Sequence, residues 1–427
     1  YTQREFKNNV LPSRNQGLSG RATYDYDQRY LFEFNFGYNG TERLGKGDRF
    51  EFFPAVSLGW LVSNEKFFEP LSDVVSSLKL RGSYGLVGSD ETGPSNAPHF
   101  LYIDQVQVTG NGRPGFTTGE NLNVSYYGPV VQQWAVQNGG WERVKKLDVG
   151  FDMELFRELS ITFDFFYDKR YNILLHREAW PQSLGFHEAK PWSNKGKVDN
   201  WGYEVSTNWR KQFTKDLTVD FRGTFTYTQN KYIDVDEPIY PYVWQTATGK
   251  PLNRRNGYIA EGLFQSQEEI DNSPTQNLGS KPMPGDIKYR DVDGNGVIDS
   301  KDQVMISKTA NMPRIQYGFG VNIDWKRFNF GVFFNGSAMR DININGLHPF
   351  GQNDYNAMKF VAENRWTEAN PNPNAEYPRL GLNDSQMSNN SQSSTYWIRN
   401  GNFLRFKTLE IGYRFDHVRL YFTGNNL

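Results

Sequence analysis

Apolar and polar residues alternate with a period of two along much of the chain. Residues 31–38 carry Phe, Phe, Phe and Tyr at the even positions and Leu, Glu, Asn and Gly at the odd ones. Residues 22–26 repeat the pattern, and the three polar residues 27–29 separate the two runs. Because successive side chains of a β-strand point to opposite faces, this pattern predicts two strands joined as a tight hairpin.

The alternation recurs at residues 161–168, 217–227, 328–334 and 418–422. We expect strands of about ten residues, the length of a tilted strand that crosses a bilayer. One face of these strands is rich in Phe and Tyr, whereas the other carries Asp, Arg and Thr. The pattern favours an all-β fold, a transmembrane antiparallel β-barrel with a lipid-facing wall and aromatic girdles. A soluble antiparallel sandwich or barrel with one solvated face is the alternative.

The connections between the predicted strands differ greatly in length. Some have only a few residues, whereas 89–140, 230–313 and 339–400 are long and rich in Gly, Asn, Pro and Ser. Short turns at one end and long loops at the other are typical of an outer-membrane barrel, so we expect the long loops to be extracellular. Helical patterns are few, and residues 354–369 are the best candidate for a short helix.

Composition narrows the possible functions. The 427 residues include no cysteine, which excludes disulfides and thiolate metal sites. A formal net charge of −1 provides no basic surface for nucleic acid. Mean hydropathy is −0.70, and no stretch approaches the roughly 18 consecutive apolar residues of a membrane helix. Barrel strands form no such stretch either, because their apolar residues alternate with polar ones.

Residues 291–302 have the oxygen spacing of a calcium-binding loop. Loop positions 1, 3, 5, 9 and 12 are Asp291, Asp293, Asn295, Asp299 and Asp302, and Val297 would supply its backbone carbonyl. The glycine at position 6 permits the sharp turn that such a loop requires. An all-protein oxygen shell suits Ca²⁺ better than Mg²⁺, so we predict a structural Ca²⁺ site. The alternative is an acidic turn that binds no metal.

The long connections also contain aromatic residues suited to stacking on a sugar ring or contacting a peptide. The candidates for ligand binding are Tyr126, Tyr127, Trp134, Trp180, Trp192 and Trp244. Nearby residues open to the same interpretation are Tyr240, Tyr242, Asp104, Gln105, Asn121 and Gln133. A structural role, as girdle or loop-packing residues, is the alternative for each aromatic.

No arrangement of residues points to catalysis. The five His residues are scattered, without a pair at zinc-binding spacing. The chain contains no nucleophile elbow, phosphate loop or dinucleotide fingerprint. Carboxylates are plentiful, but nothing singles out two of them as a glycosidase pair. We therefore predict that the protein is not an enzyme.

A series of sequence blocks resembles one known family. The blocks are residues 52–60 (FFPAVSLGW), 78–88 (LKLRGSYGLVG), 141–152, 194–204 (NKGKVDNWGYE), 285–299 (GDIKYRDVDGNGVID), 366–380, 402–413 and 424–427. In content and in order they resemble the SusC/RagA-like TonB-dependent transporters of Bacteroidetes outer membranes. One such block is a weak signal, but the ordered series is specific.

The resemblance implies a barrel of about 22 strands. It also implies an N-terminal plug, a SusD-like lipoprotein that caps the barrel, and energy supplied through TonB. We expect residues 1–427 to be a C-terminal portion of the barrel. The plug, the first strands and the last strands would then lie outside this chain. Closure needs those parts, because a half-barrel would expose sheet edges in lipid.

The expected function is TonB-dependent import across the cell outer membrane of a Gram-negative, Bacteroidetes-like organism. The cargo would be an oligosaccharide or an oligopeptide, and the partners would be TonB, a SusD-like lipoprotein and membrane lipid. A passive β-barrel porin is one alternative, which the lack of a plug would indicate. A soluble carbohydrate-binding or hydrolytic β-protein is the other, which partition into detergent-free buffer would indicate.

Overall fold

The computed structural model describes residues 2–4, 13–91, 100–107, 116–126, 128–136, 139–180, 191–350, 356–382 and 384–427. Within these ranges, thirteen strands form one sheet, and their order in the sheet follows the chain. They are β1 (Thr2–Arg4), β2 (Ser13–Tyr26), β3 (Tyr30–Thr41), β4 (Phe50–Leu61), β5 (Val75–Ser89), β10 (Glu142–Leu155), β11 (Leu159–His176), β12 (Trp192–Thr214), β13 (Leu217–Asp234), β20 (Ile315–Trp325), β21 (Phe328–Ala338), β24 (Phe403–Arg414) and β25 (Arg419–Asn425).

The connections contain shorter elements. The strands are β6 (Gln105–Gln107), β7 (Phe116–Thr118), β8 (Val124–Tyr126), β9 (Val130–Gln133), β14 (Arg255–Gly257), β15 (Ala260–Leu263), β16 (Thr275–Gln276), β17 (Ile287–Tyr289), β18 (Val297–Ile298), β19 (Val304–Ser307), β22 (Asp341–Asn343) and β23 (Ile398–Asn400). The helices are α1 (Gln267–Asp271), α2 (Lys359–Asn364) and α3 (Asp384–Met387). Across the described ranges, no helix is both long and apolar enough to span a membrane.

The chain divides into two compact units, which are described separately. Unit 1 comprises Tyr1–Ile239, Phe319–Gly331 and Glu410–Phe422. Unit 2 comprises Tyr240–Gly318, Val332–Leu409 and Thr423–Leu427.

The predicted hairpin near the start of unit 1 is present. β2 pairs antiparallel with β3, and Asp27 and Gln28 both adopt positive φ, at 53° and 50°. Two central residues with positive φ form the type of turn whose twist matches that of the flanking strands. The backbone N–H of Gln28 donates to the Asp25 carboxylate at 2.8 Å, which further fixes the turn.

One face of the unit 1 sheet is apolar and exposed. Tyr24 pairs with Phe32, Phe32 with Leu58, and Leu58 with Gly82, so the apolar positions of four strands align. Tyr24 and Leu58 retain 62% and 60% exposure. Soluble monomers rarely expose such an extended apolar surface, and this face therefore suits contact with lipid.

The opposite face of the same strands carries ion pairs. Arg81 on β5 lies beside Gly150 on β10, which in turn lies beside Asp164 on β11. Because Gly150 has no side chain, Arg81 reaches across it and donates to Asp164 at 2.7 Å, and it also donates to Asp152 at 3.2 Å. The alternation seen in the sequence thus separates an apolar face from a charged one.

Several strands are longer than the predicted length of about ten residues. β11 and β13 have 18 residues each, and β12 has 23. At about 3.3 Å per residue, such strands extend well beyond the hydrocarbon layer of a bilayer. The alternation of side chains therefore identified only part of each strand.

Unit 2 contains a packed core built from two of the long connections. Its buried residues are Tyr258, Leu263, Leu278, Ile287, Tyr289, Ile298, Val361, Trp366, Ala375, Tyr377 and Trp397. The helix predicted at 354–369 is present only as α2, because the chain then forms isolated bridges from Arg365 to Tyr377 and from Thr367 to Asn370. Residues 351–355 lie outside the described ranges.

Candidate functional site

The predicted calcium loop is anchored in the core of unit 2. Ile298, at loop position 8, is 1% exposed and belongs to the buried cluster. Its strand β18 pairs parallel with β16, and the carbonyl oxygens of Gly296 and Ile298 accept N–H groups of Thr275 and Asn277 at 3.0 and 2.9 Å. The loop is therefore held in place by backbone hydrogen bonds and by a buried side chain.

Asp291 shapes the first half of the loop. Its two carboxylate oxygens accept the N–H groups of Gly294 and Gly296 at 2.8 and 2.7 Å, and both glycines have positive φ. Desolvation acts to raise the pKa of Asp291, but hydrogen bonds from Gly296 and Gly294 outweigh it, so the pKa lies below its ordinary value of 3.8. The group stays ionised, as a metal ligand must be.

Asp302 closes the loop from a fully buried position. One of its oxygens accepts the N–H of Val292 at 2.7 Å, and the other accepts the N–H of Asp299 at 2.8 Å. Asp299 in turn caps the 3-10 turn Ser300–Asp302 by accepting the N–H of Lys301 at 2.7 Å. The two residues form a reciprocal capping box, so both have structural roles within the loop.

Three of the predicted ligands converge. One carboxylate oxygen from each of Asp291, Asp293 and Asp302 lies within 4.8 Å of the others, and three such oxygens fit a hard cation such as Ca²⁺. Asn295 instead donates to Asp293 at 3.0 Å and accepts the N–H of Val297 at 2.8 Å. The residues present thus supply half of a calcium shell, and Asn295 and Asp299 would have to turn to complete it.

Two of the predicted loop aromatics lie against this loop. Trp244 donates from its indole N–H to the carbonyl of Lys301 at 2.8 Å. Its ring stacks on Tyr242 with centroids 4.5 Å apart and an interplanar angle of 7°. A hydrogen bond to Asp293 raises the pKa of the Tyr242 hydroxyl. Two groups of residues that the sequence suggested separately therefore meet in unit 2.

Tyr240, in unit 2, is 38% exposed, and the other aromatic candidates lie in unit 1 and differ in exposure. Tyr126 is 50% exposed and stacks on Phe116, and Trp134 is 40% exposed. Trp180 packs against Arg177, whose guanidinium carbon is 5.2 Å from the ring centroid. Trp192 is only 9% exposed in a cluster with Leu101, Val136 and Leu174, which leaves little of its ring for a ligand. Tyr127 lies outside the described residues.

The weaker polar candidates also have structural contacts. The Gln133 side chain is buried and donates to the carbonyls of Phe100 and Ile103, both at 3.2 Å. The Asp104 carboxylate accepts the N–H of Ala135 at 2.6 Å. These two side chains therefore hold the connection between β5 and β10 together.

Relatives cover nearly the whole chain. TonB-dependent receptor P3 of Formosa agariphila is 26% identical over 435 residues, 96% of this chain. TonB-dependent receptor SusC of Bacteroides thetaiotaomicron is 27% identical over 416 residues, 93% of this chain. Over nearly its whole length, the chain is similar to SusC-like TonB-dependent receptors. No family model matches it. This SusC-like chain spans about two fifths of these relatives' length, 40% and 38% respectively.

A solved structure agrees with the fold of this SusC-like chain. The RagAB peptide transporter superposes with a TM-score of 0.68 over 97% of this chain and 44% of that one, at 19% identity. At this identity the likeness concerns the fold alone. It confirms the prediction of an all-β, antiparallel barrel wall.

The sequence did not reveal one buried polar network in unit 2 of this SusC-like chain. Asp286 is fully buried and pairs with Arg379, with 2.6 Å between the Arg379 Nε and an Asp286 oxygen. Asn390 donates to the same carboxylate at 2.8 Å. The partners are about a hundred positions apart, and no local spacing pattern connects them. The sequence signal that could have pointed to this network is the acidic residue Asp286 directly before the buried strand β17.

Proposed function

We propose that the protein that carries this chain imports a nutrient actively across the outer membrane, with energy from TonB. The observation that carries the proposal is a match to TonB-dependent receptors across nearly the whole chain. A sheet with one apolar, exposed face and one charged face gives this match a physical basis. In this proposal residues 1–427 form a C-terminal portion of the barrel wall, and the protein catalyses no reaction.

We propose further that the cargo is an oligosaccharide or an oligopeptide, handed over by a SusD-like surface lipoprotein. RagAB is described as a peptide transporter, which supports the peptide class by analogy only. The exposed rings of Tyr126 and Trp134 and the half-buried ring of Trp180 suit either class, because sugars and peptides both stack on aromatic faces.

The test is uptake by cells that express the full-length protein. Fluorescent oligosaccharides and oligopeptides of graded length are supplied to cells with intact TonB and to cells that lack it. We expect accumulation of one class only, dependent both on TonB and on the lipoprotein. Uptake that persists without TonB would indicate a passive porin and contradict the proposal.

We also propose that residues 291–302 bind one Ca²⁺, which stiffens the loop. The convergence of Asp291, Asp293 and Asp302 supports this. Calcium titration followed by hydrogen exchange should show slower exchange at residues 291–302, and the double variant Asp291→Asn/Asp293→Asn should abolish that effect. Asp271→Asn, which changes an acidic residue outside the loop, should not. Exchange that calcium leaves unchanged in the unsubstituted protein would refute the site.

A further inference from the structure

An apolar groove lies on the exposed face of the unit 1 sheet. Its volume is about 540 Å³, within the range of roughly 300–1,000 Å³ that holds small ligands. Residues that line it include Tyr24, Phe32, Leu58, Trp60, Gly82 and Val149. All six lie on the apolar face of the sheet, on strands β2, β3, β4, β5 and β10, because cross-strand pairing aligns their positions.

Gly82 makes the groove. In the sheet it lies between Leu58 of β4 and Val149 of β10, where every neighbouring position of the apolar face carries a large side chain. A Cβ atom at Gly82 would lie 3.3 Å from Val149 Cγ1 and 3.8 Å from the backbone carbonyl oxygen of Asp148, with no other heavy atom within 4 Å. The missing side chain therefore leaves a notch in a continuous apolar surface.

The mouth of the groove is amphipathic and fixed. The Tyr30 hydroxyl and the Trp60 indole N–H both donate to one oxygen of Glu65, at 2.6 and 3.1 Å. Arg29 donates to the other oxygen at 3.1 Å, so the carboxylate holds both rings. Arg29 lies in the short turn 27–29, and Tyr30 and its cross-strand partner Trp60 lie next to that turn. The polar tips of Tyr and Trp favour a membrane–water boundary.

We infer that this groove binds one acyl chain of a phospholipid in the leaflet next to the short turns, an inference that rests on the outer-membrane location in the proposed function. The polarity of the groove runs from charged and hydroxyl groups at Glu65 to pure hydrocarbon at Gly82 and Val149. A phospholipid has the same gradient from headgroup to tail. A second copy of the chain fits this gradient less well, because its own apolar face would lie against the charged mouth of the groove.

The test is native mass spectrometry of the full-length protein released from detergent, after delipidation and incubation with dioleoyl-phosphatidylethanolamine. We expect the unsubstituted protein to retain one lipid. Gly82→Leu, which fills the notch, should reduce occupancy at least tenfold. Gly223→Leu is the matched control. Gly223 lies on β13 opposite Thr207, on the same apolar face of the sheet as Gly82, and it does not line the groove. It should leave lipid retention unchanged.

A second variant guards against misfolding. Val149→Phe fills the same groove from β10, and heat-modifiable gel mobility verifies that each variant forms a barrel. Equal retention by a folded Gly82→Leu or Val149→Phe protein, or no retained lipid in the unsubstituted protein, overturns the inference. A dimer that Gly82→Leu dissociates also overturns it and identifies a second copy as the occupant. A protein that does not enter membranes at all contradicts the proposed function instead.

Discussion

At the scale of single residues, the most consequential side chains lie in the core of unit 2. Desolvation raises the pKa of the buried Asp286, and Arg379 opposes the rise. The ionised carboxylate therefore depends on one guanidinium and on the hydrogen bonds from Asn390 and the Met283 N–H.

Arg379→Met should destabilise unit 2 strongly, because it leaves a buried charge without its partner. We expect a loss of about 3–5 kcal/mol in the free energy of local opening, measured by hydrogen exchange at residues 276–289. Arg290→Met is the matched control. Arg290 pairs with Glu261 at 2.9 Å on the surface, and its loss should cost under about 1 kcal/mol. Similar losses in the two variants would contradict the assigned role of Asp286.

A second residue-scale prediction concerns pH. Burial lowers the pKa of His348 from 6.5 to about 4, and its ring packs against Phe350 and Trp397. Because the folded state binds the proton less readily than the unfolded state, the stabilisation is complete above pH 6.5 and is lost as the pH falls towards 4. The full effect is about 3 kcal/mol.

Hydrogen exchange of residues 341–350, corrected for intrinsic rates, should therefore show easier opening at pH 5 than at pH 7. His348→Leu removes the titrating group and should flatten this dependence. If the unsubstituted protein and His348→Leu respond equally to pH, another group is responsible.

At the scale of elements, Gly150 shows how a strand depends on one small residue. A Cβ atom there would lie 2.2 Å from the carbonyl oxygen of Phe163 and 2.6 Å from an Asp164 carboxylate oxygen. Gly150→Val should therefore separate β10 from β11 and weaken the Arg81 ion pairs, at a cost of about 1–3 kcal/mol.

The measurement is the urea midpoint of heat-modifiable gel mobility. Gly223→Val is the control, because a Cβ atom at Gly223 meets only side chains, with Thr207 Cγ2 nearest at 3.1 Å. A midpoint shift at Gly223 as large as that at Gly150 would show that any β-branched residue has this effect.

Some of these elements could be predicted from the sequence, and others could not. The strands were predictable because one face of the sheet is apolar and the other is polar. Apolar and polar residues therefore alternate along each strand. The unit 2 core was not, because it rests on contacts such as Gln276 with Asn389, at 2.7 Å and 113 positions apart. The calcium loop was recognisable from its spacing, but the capping role of Asp299 depends on the fold around it.

At the scale of the whole molecule, burial is inverted relative to a soluble β-protein. Many apolar side chains of the sheet strands are exposed, whereas the most deeply buried side chains in the described ranges, such as Trp397, Tyr289 and Phe264, lie in the long connections. The exposed apolar face of the sheet therefore suits contact with lipid, as the proposed function requires.

The full-length protein should accordingly be found in the membrane fraction and stay monodisperse only in detergent. Gel filtration with and without detergent measures this directly. A monodisperse protein in plain buffer would favour the soluble alternative, a carbohydrate-binding or hydrolytic β-protein.

The separate core of unit 2 has an evolutionary consequence. A wall that needs only alternating hydrophobicity tolerates drift at most of its positions, so its sequence can diverge while its shape persists. The long connections lack that freedom, since Asp286, Arg379 and Asn390 must change in concert or not at all. We expect natural variation among close orthologues to be scattered along the strands and to arrive in the connections as linked sets of substitutions.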